Sequence, residues 1–289
     1  MSHGPVRTAI VTGGASGIGQ ALARALAARG VAVTVADLNE PTDLAIPGKG
    51  ELEYARVDVT DAEAVAALVA RVAGERGRLD FMVNNAGIAV GGTALEMTRA
   101  HWDRTIDVNL RGVVHGVLAA YPIMVRQGHG HIVNTASLAG LVPAPLMLPY
   151  TATKHAVVGL SLALRAEAAE HGVRVCVVCP GFVDTPLLDN ANPGLPATRV
   201  GAAARQAIGR GPGRLYSADA LAADVLRGMA RGKAVISAPA SARIAWRLAR
   251  LWPGGAVRAA QLASRLVNRG QDGRRDGRQD GGPRPPRSA

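Results

Sequence analysis

Cysteine, lysine and aromatic side chains are all scarce in this chain. It has two cysteines, three lysines against thirty arginines, and only 3% Phe, Trp and Tyr. Two cysteines exclude a disulfide framework. Cys176 and Cys179 have C-x-x-C spacing but lie in the β-type run Val173–Cys179. In an extended strand, residues three apart point to opposite faces, so shared metal ligation is disfavoured. No second Cys/His pair with zinc-ligand spacing follows, and two core thiols in a reducing compartment, with no metal, is the expected outcome. No apolar leader is expected, because Val6–Val11 is short and runs straight into a Gly-rich turn. No run reaches the ~18 apolar residues of a membrane span. A cytoplasmic protein is the expectation. The arginine excess reads as a compositional bias without mechanistic weight.

Charge of one sign is scarce over most of the chain as well. The formal net charge is +11, a value that on its face suggests a nucleic-acid binder. Residues 243–289, however, hold eleven Arg and three Asp, so +8 of it belongs to the end of the chain and +3 to residues 1–242. The body is near neutral. The tail lacks aromatic residues after Trp252, so base stacking is not provided for either.

What the sequence does have is rhythm. Short β-branched runs alternate with longer amphipathic segments, the pattern of βαβ units on a parallel sheet. Strands are predicted at Arg7–Val11, Ala32–Ala36, Glu53–Val57, Phe81–Val83, His131–Asn134, Arg174–Val178 and Ala234–Ile236. Helices are predicted at Gly17–Ala28, Asp61–Glu75, Asp103–Arg126, Tyr150–His171 and Ala218–Arg231, with Gly30, Gly77, Gly128 and Gly172 punctuating their ends. Two stretches interrupt the pattern. Leu38–Gly50 is broken by Pro41, Pro47, Gly48 and Gly50, and Gly181–Tyr216 is long enough to suggest a lid. The fold class is therefore α/β: a Rossmann-like doubly wound parallel sheet flanked by helices, as a single domain over residues 5–240. A basic amphipathic helical extension follows over 241–269, and 270–289, rich in Gly, Arg, Asp, Gln and Pro, is predicted to form no packed structure.

The first strand ends in Thr12-Gly13-Gly14-Ala15-Ser16-Gly17-Ile18-Gly19 and leads into a helix. Backbone N–H groups and a helix N-terminus in that arrangement can receive a pyrophosphate. The second strand ends at Asp37, eighteen residues after Gly19. A carboxylate there accepts hydrogen bonds from adenosine ribose hydroxyls. It also repels a 2′-phosphate by ~4 kcal/mol at 4 Å and an effective dielectric constant of 20. Leu38 follows, with no arginine to welcome that phosphate, so NAD is favoured over NADP. Further on, Tyr150 and Lys154 are spaced i, i+4 and share one helix face. A phenol titrates near 10, and a fixed cation beside it lowers the cost of phenolate. Ser137, in a strand-end loop, can hydrogen-bond a carbonyl or alkoxide oxygen.

Taken in order, Thr12–Gly19, Asn84-Asn85-Ala86-Gly87, Asn109 in Val108-Asn109-Leu110, Ser137, Tyr150/Lys154 and Pro180-Gly181 resemble the motif series of the classical short-chain dehydrogenases/reductases. The resemblance covers roughly residues 5–240. It implies that Tyr150 is the general acid/base and that Ser137 polarises the substrate oxygen. Lys154 would bind the nicotinamide ribose and lower the Tyr150 pKa, and Asn109 would hold a water in a proton relay. The cofactor set it implies is Gly13, Ser16, Gly17, Ile18 and Gly19 at the turn, Asp37 on the ribose and Asp58 and Val59 at the adenine. Asn85, Ala86 and Gly87 would run along the cofactor, with Tyr150, Lys154, Pro180, Gly181, Val183 and Thr185 around the nicotinamide. It also implies a homodimer or homotetramer through the helices Asp103–Arg126 and Tyr150–His171, with Val113, Val117, Ala163 and Ala166 suited to close packing. The chain departs from the family at Ala136, where a second Ser is common, and at the broken Leu38–Gly50, where a family helix is expected to be shortened or lost.

The loop from Leu138 to Pro149 carries no charge; the resemblance implies that it lines the substrate pocket, which suits a hydrophobic alcohol or ketone, and packing against the lid or another subunit is the equal alternative. The expected activity is NAD(H)-dependent interconversion of a secondary alcohol and a ketone. The rival readings are an NADP(H)-linked ketoreductase, such as a 3-oxoacyl-carrier-protein reductase, and a non-catalytic nucleotide-binding scaffold. Asp37 speaks against the first and the complete Asn109/Ser137/Tyr150/Lys154 set against the second. In the extension, Ser241–Trp252 sets Ile244, Ala245, Leu248, Leu251 and Trp252 on one helical face and Arg243, Arg247 and Arg250 on another, and Ala256–Asn268 repeats this less clearly. Docking of that stripe on its own domain or a neighbouring subunit is favoured over peripheral contact with an anionic membrane.

Overall fold

The computed structural model describes residues 6–42, 50–198 and 215–265. Seven parallel strands form one sheet: β1 (Thr8–Thr12), β2 (Ala32–Asp37), β3 (Leu52–Arg56), β4 (Phe81–Asn84), β5 (Gly130–Thr135), β6 (Val173–Pro180) and β9 (Val235–Ala238). Their order across the sheet is β3-β2-β1-β4-β5-β6-β9. A two-stranded parallel pair, β7 (Val183–Asp184) with β8 (Tyr216–Ser217), lies beside it. The order runs outward from β1 in both directions. β1 and β4 are adjacent, and the loops at their carboxyl ends diverge at that switch point to leave a crevice for a ligand.

Side-chain alternation along the strands builds two cores. Ala9, Val11, Val33, Val35, Val83, Val133, Cys176 and Val178 point to one face, under α1 (Gly17–Ala27) and α6 (Ala218–Ala230). Ile10, Met82, Ile132, Val173 and Val175 point to the other, under α2 (Ala62–Arg76), α4 (Gly112–Gln127) and α5 (Leu148–Ala168). The strands are apolar on both sides, as parallel strands covered by helices must be. Cys176 and Cys179 fall in separate cores on opposite faces, both as free thiols. Burial pushes both thiols up to about 12, so they stay protonated and inert.

One predicted helix differs in an informative way. The segment expected at Asp103–Arg126 begins earlier, as α3 (Arg99–Ile106). Thr98 caps it, with His101 rather than Glu or Gln closing the capping box, which is why the start escapes a Glu-based rule. A π-helical turn, Asp107–Arg111, then joins α3 to α4. Sequence periodicity contains no sign of that wider turn. The whole run Arg99–Gln127 is also long and apolar enough to qualify as a membrane span by length and mean hydropathy, contrary to the expectation of no such stretch. It packs against α2, β4 and β5, as a core helix does. Of the interrupted stretches, 43–49 and 199–214 lie outside the described residues, so the shortened helix and the second part of the expected lid lie outside them as well, as does the tail from 266.

Candidate active site

The Gly-rich turn is shaped by what its glycines avoid. Gly13 has φ +62°, and a Cβ on it would stand 2.7 Å from Ala86 Cα. Gly17, at φ +53°, faces Thr185, whose Cβ and Cγ2 would lie 3.1 Å from such a carbon, and at Gly19 the added carbon would collide with Gly13 O at 2.1 Å. The turn thus presses against both the Asn85–Gly87 segment and Thr185, so three separated motifs converge. Ser16 makes no side-chain cap hydrogen bond to α1, and no acidic residue lies in that helix's first turn. A helix N-terminus left this way suits an anion. Asp37, half-buried at the end of β2, accepts hydrogen bonds from Ala15 N at 3.0 Å and Asn39 N at 3.1 Å, which fixes the carboxylate at the rim of the turn.

The Asn85 segment is tied down by two residues that the sequence reading left unassigned. Thr12 Oγ1 accepts from Asn85 N and Ala86 N at 3.0 and 3.1 Å. Asn85 Nδ2 donates to Thr12 O and Gly13 O, and Thr135 Oγ1 donates to Asn85 Oδ1. Asn85 is thereby a clamp across the ends of β1, β4 and β5. Thr12 was visible at the head of the Gly motif, but its role as acceptor depends on β4 lying alongside. Asp58 is held by Thr60 N and Oγ1; burial alone would raise its pKa, and these bonds outweigh it and keep the carboxyl below its usual range. Val59 packs beneath α4, where its carbonyl accepts from His115 Nδ1 at 2.9 Å.

At the ends of β5 and β6 stand Ser137, Tyr150 and Lys154. Ser137 caps a short 3₁₀ turn, its Oγ accepting from Ala139 N at 3.2 Å. Its side chain lies near the Tyr150 hydroxyl, where it favours the phenolate. Pro149 near the start of α5 pre-organises the turn from which Tyr150 projects. Lys154, one turn on, buries its ammonium, which donates to Thr135 O at 2.9 Å and lies 5.6 Å from the centre of the Tyr150 ring. Burial pulls this lysine down to about 8. Burial likewise raises the Tyr150 phenol above its ordinary value, and the Ser137 bond offsets only part of that. In this arrangement desolvation therefore dominates the phenol.

Asn109 sits in the π turn, fully buried. Its Oδ1 accepts from Ile88 N at 2.8 Å and its Nδ2 donates to Ile88 O at 3.0 Å. A Cβ at Gly87 would lie 3.2 Å from Asn109 Oδ1 and 3.4 Å from Lys154 Nζ, so both side chains border the same narrow space above Gly87. The wider turn is what lets a helix residue face that loop, a recurrent use of π-helical turns at functional sites. On the substrate side, Asn192 (φ +60°) is buried and ties the segment after β7 to the loop after β4. Its Oδ1 accepts from Gly91 N, and its Nδ2 donates to Gly91 O and Thr198 Oγ1. His101 Nε2 bonds Pro196 O at 3.0 Å, and because its Nδ1 accepts from Thr98 N, Nε2 is the donor. Neither residue carries a local sequence signal, since their partners lie about a hundred residues away. Among the described residues no group of three or more His, Cys, Asp and Glu side chains could hold a metal.

The model of the short chain dehydrogenases matches residues 7–196, which contain the Gly turn, the Asn85 segment, Asn109, Ser137, Tyr150 and Lys154. The chain belongs to the short-chain dehydrogenase/reductase family. It is 44% identical to a cis-4-hydroxycyclohexanecarboxylate dehydrogenase of Sinomonas cyclohexanicum over 211 residues, 71% of this chain and 83% of that one. It is 38% identical to a 3-oxoacyl-acyl-carrier-protein reductase of Staphylococcus aureus over 189 residues, 63% of this chain and 77% of that one. A short-chain dehydrogenase/reductase from Burkholderia phymatum, solved in complex with NAD, superposes with a TM-score of 0.77 at 31% identity, covering 88% of this chain and 96% of the other. As a member of this family the chain is an oxidoreductase acting on alcohol or ketone groups.

Proposed function

We propose that this short-chain dehydrogenase/reductase interconverts a hydrophobic secondary alcohol and its ketone with NAD(H). The observation that carries the reading is the convergence of Ser137, Tyr150 and Lys154 beside the Gly87–Asn109 contact, across the carboxyl edge from the Gly13–Gly19 turn. The residues present fit a dinucleotide. Glycines clear the path between the turn and Asn85–Gly87, the N-terminus of α1 lacks a side-chain cap, and a carboxylate stands at the rim. Ser16, Gly17, Ile18 and Gly19 would hold the pyrophosphate, Asp37 the adenosine ribose, and Asp58 with Val59 the adenine. Asn85, Ala86, Gly87, Lys154, Pro180, Gly181, Val183 and Thr185 would line the nicotinamide half. When bound, NAD supplies the hydride acceptor.

The chain's own part is proton movement and orientation. Tyr150 Oη takes the substrate hydroxyl proton in oxidation and returns it to the carbonyl oxygen in reduction. Ser137 Oγ holds that oxygen, and its side chain lies near the Tyr150 hydroxyl. The raised phenol must be brought down for base catalysis, and the nearby ammonium is the group able to do so. Both amide atoms of Asn109 are engaged with Ile88, so a relay water there would rest on a remaining lone pair of the amide or main-chain carbonyl. The uncharged Leu138–Pro149 loop suits an apolar, ring-sized substrate, in keeping with the cyclohexane alcohol handled by the 44% relative. The likeness to the acyl-carrier-protein reductase supports a second reading, NADP(H)-linked reduction of a 3-oxoacyl chain.

Asp37 supports the first reading, and kinetics tests it. Cyclohexanol- and cyclohexanone-type compounds, tested beside 3-oxoacyl thioesters for absorbance change at the reduced nicotinamide, should give turnover with NAD(H) on the ring compounds. Asp37→Ala should narrow the NAD/NADP ratio about ten-fold or more through loss of charge repulsion. An equal or higher kcat/KM with NADP(H) would overturn the cofactor, and exclusive turnover of thioesters would overturn the substrate class.

For assembly, we propose a dimer or tetramer through α4 and α5. Val113 is buried in the protomer's own core and is not an interface residue, whereas Leu118, Leu162, Ala163 and Ala166 lie on the outer surface.

A further inference from the structure

The end of the described chain leaves an apolar surface that its own domain does not cover. α7 (Ala240–Leu251) begins where Pro180–Gly181 ends: Gly181 N donates to Ala238 O at 2.8 Å, and a Cβ on Gly181 would meet Ala242 Cβ and Pro239 Cδ at 3.4 Å. The helix thus leaves the sheet at the carboxyl edge, the edge that holds Ser137 and Tyr150. Its inner face is Ala242, Ala245, Trp246 and Ala249, spaced i, i+3, i+4, i+7, the only residues of α7 beyond Ala240 that are not exposed. The opposite face is Ile244, Leu248, Leu251 and Trp252, exposed by 57, 61, 83 and 68%. Among the described residues nothing covers the stripe, which points away from the domain on which docking is one expectation, and Ala245, expected on the stripe, falls on the inner face. A second helical segment, 253–265, continues the surface with no buried residue and with Val257 and Leu262 exposed. An isolated helix of that length is marginal in water without a surface to lie on.

The charge on this surface identifies the surface it fits. Residues 240–265 contain five arginines (Arg243, Arg247, Arg250, Arg258 and Arg265) and no Asp, Glu or Lys. In α7, Arg243, Arg247 and Arg250 follow one another at i, i+4, i+7 along one flank of the apolar row, and a tryptophan closes the row. Arg243 is turned toward Ser237 O and Asp224, but a two-fold contact between copies through this patch would still bring the remaining arginines together with no carboxylate within 240–265 to neutralise them. An anionic lipid surface offers what the patch needs: acyl chains for the Ile/Leu row, an interfacial level for Trp252, and headgroup charge for guanidiniums whose aliphatic stems can lie along the apolar row.

We propose that residues 240–265 are a peripheral membrane anchor that lays the Ile244–Leu248–Leu251–Trp252 row into the interface of an anionic bilayer. Because α7 starts against Gly181, this holds the carboxyl edge of the sheet close to the lipid, on the side from which an apolar alcohol dissolved in the membrane would arrive.

The test is co-sedimentation of the full chain with vesicles of phosphatidylcholine alone and of phosphatidylcholine with about 30% phosphatidylglycerol. Binding should require the anionic lipid and weaken several-fold when salt is raised from about 0.05 to 0.3 M. The double variant Leu248→Glu/Leu251→Glu, at exposed positions, should lose at least about ten-fold in bound fraction while keeping every basic residue, the same mass by light scattering and the same melting temperature. Arg247→Gln/Arg250→Gln should weaken binding less and flatten its salt dependence. Absence of binding to the anionic vesicles would overturn the proposal. So would full binding by the Leu→Glu variant, since basic charge alone would then be responsible. A Leu→Glu variant of reduced mass by light scattering would show instead that the row is covered by a second copy.

Discussion

The carboxyl edge of the sheet and the extension after β9 invert the usual rule of protein surfaces. Around Ser137 and Tyr150 polar groups are buried, and each key one has a partner: Asn109 on Ile88, Lys154 on Thr135, Asn192 on Gly91, and Thr12 beneath Asn85 and Ala86. In the extension large apolar groups are exposed and have no partner among the described residues. Both patterns are informative because both cost free energy that folding alone does not return. The buried polar groups mark a place where the protein handles charge in a site of low dielectric. The exposed apolar row marks a place where another surface completes the structure. Stability and activity should therefore respond in opposite ways to changes in the two regions.

The largest effect belongs to the edge. Tyr150→Phe removes only the hydroxyl, so NADH binding, followed by nicotinamide fluorescence, should persist while kcat falls by ~10²–10⁴. A near-normal kcat would remove Tyr150 from the mechanism. Thr12→Val tests the clamp below it. Two main-chain N–H groups would lose their acceptor, and stability should drop by about 1–3 kcal/mol with a weaker hold on the cofactor, read from urea unfolding and a KM titration. Unchanged stability would mean that Asn85 and Ala86 find other acceptors.

A third effect appears only in acid. His131 is buried on β5 with no partner on Nε2, and burial, reinforced by Arg174 and Arg165, pulls it down to about 3. Unfolded, it titrates near 6.5. Between those values the unfolded chain binds a proton that the folded chain refuses, so stability falls as pH drops below about 6.5 and the loss levels off only below about 3. At pH 5 the loss is at most about 2 kcal/mol. His131→Phe, beside Phe81, should flatten the urea midpoint between pH 7 and 5; an unaltered slope would assign the acid sensitivity to other groups. The smallest effect belongs to the extension. Leu248→Glu/Leu251→Glu should move folding stability by no more than about 0.5 kcal/mol, and a larger loss would show that the row is packed in solution after all.

The strand and helix order, the two-faced strands and the separation of Cys176 from Cys179 were all legible in the sequence, because periodicity reports which face of an element meets a core. So were Tyr150 and Lys154, whose i, i+4 spacing is local, and the Gly turn, whose spacing is dictated by the turn itself. The start of α3 and the π turn were not, since a His-closed cap and one extra residue in a turn leave the apolar period almost unchanged. Nor could the spacing say that Asn109 faces Ile88, that Thr12 supports Asn85, or that Asn192 anchors the segment opposite Gly91. Each of these is a hydrogen bond across twenty to a hundred residues. The amphipathic pattern of α7 shows the same division. The sequence by itself determined that the helix has an apolar row and an arginine row, because 3.6 residues per turn fix which side chains share a face. Only the tertiary structure decided that Ala242, Ala245, Trp246 and Ala249 face the sheet and that the large apolar residues face out. The direction in which β9 delivers the chain past Gly181 sets that rotation.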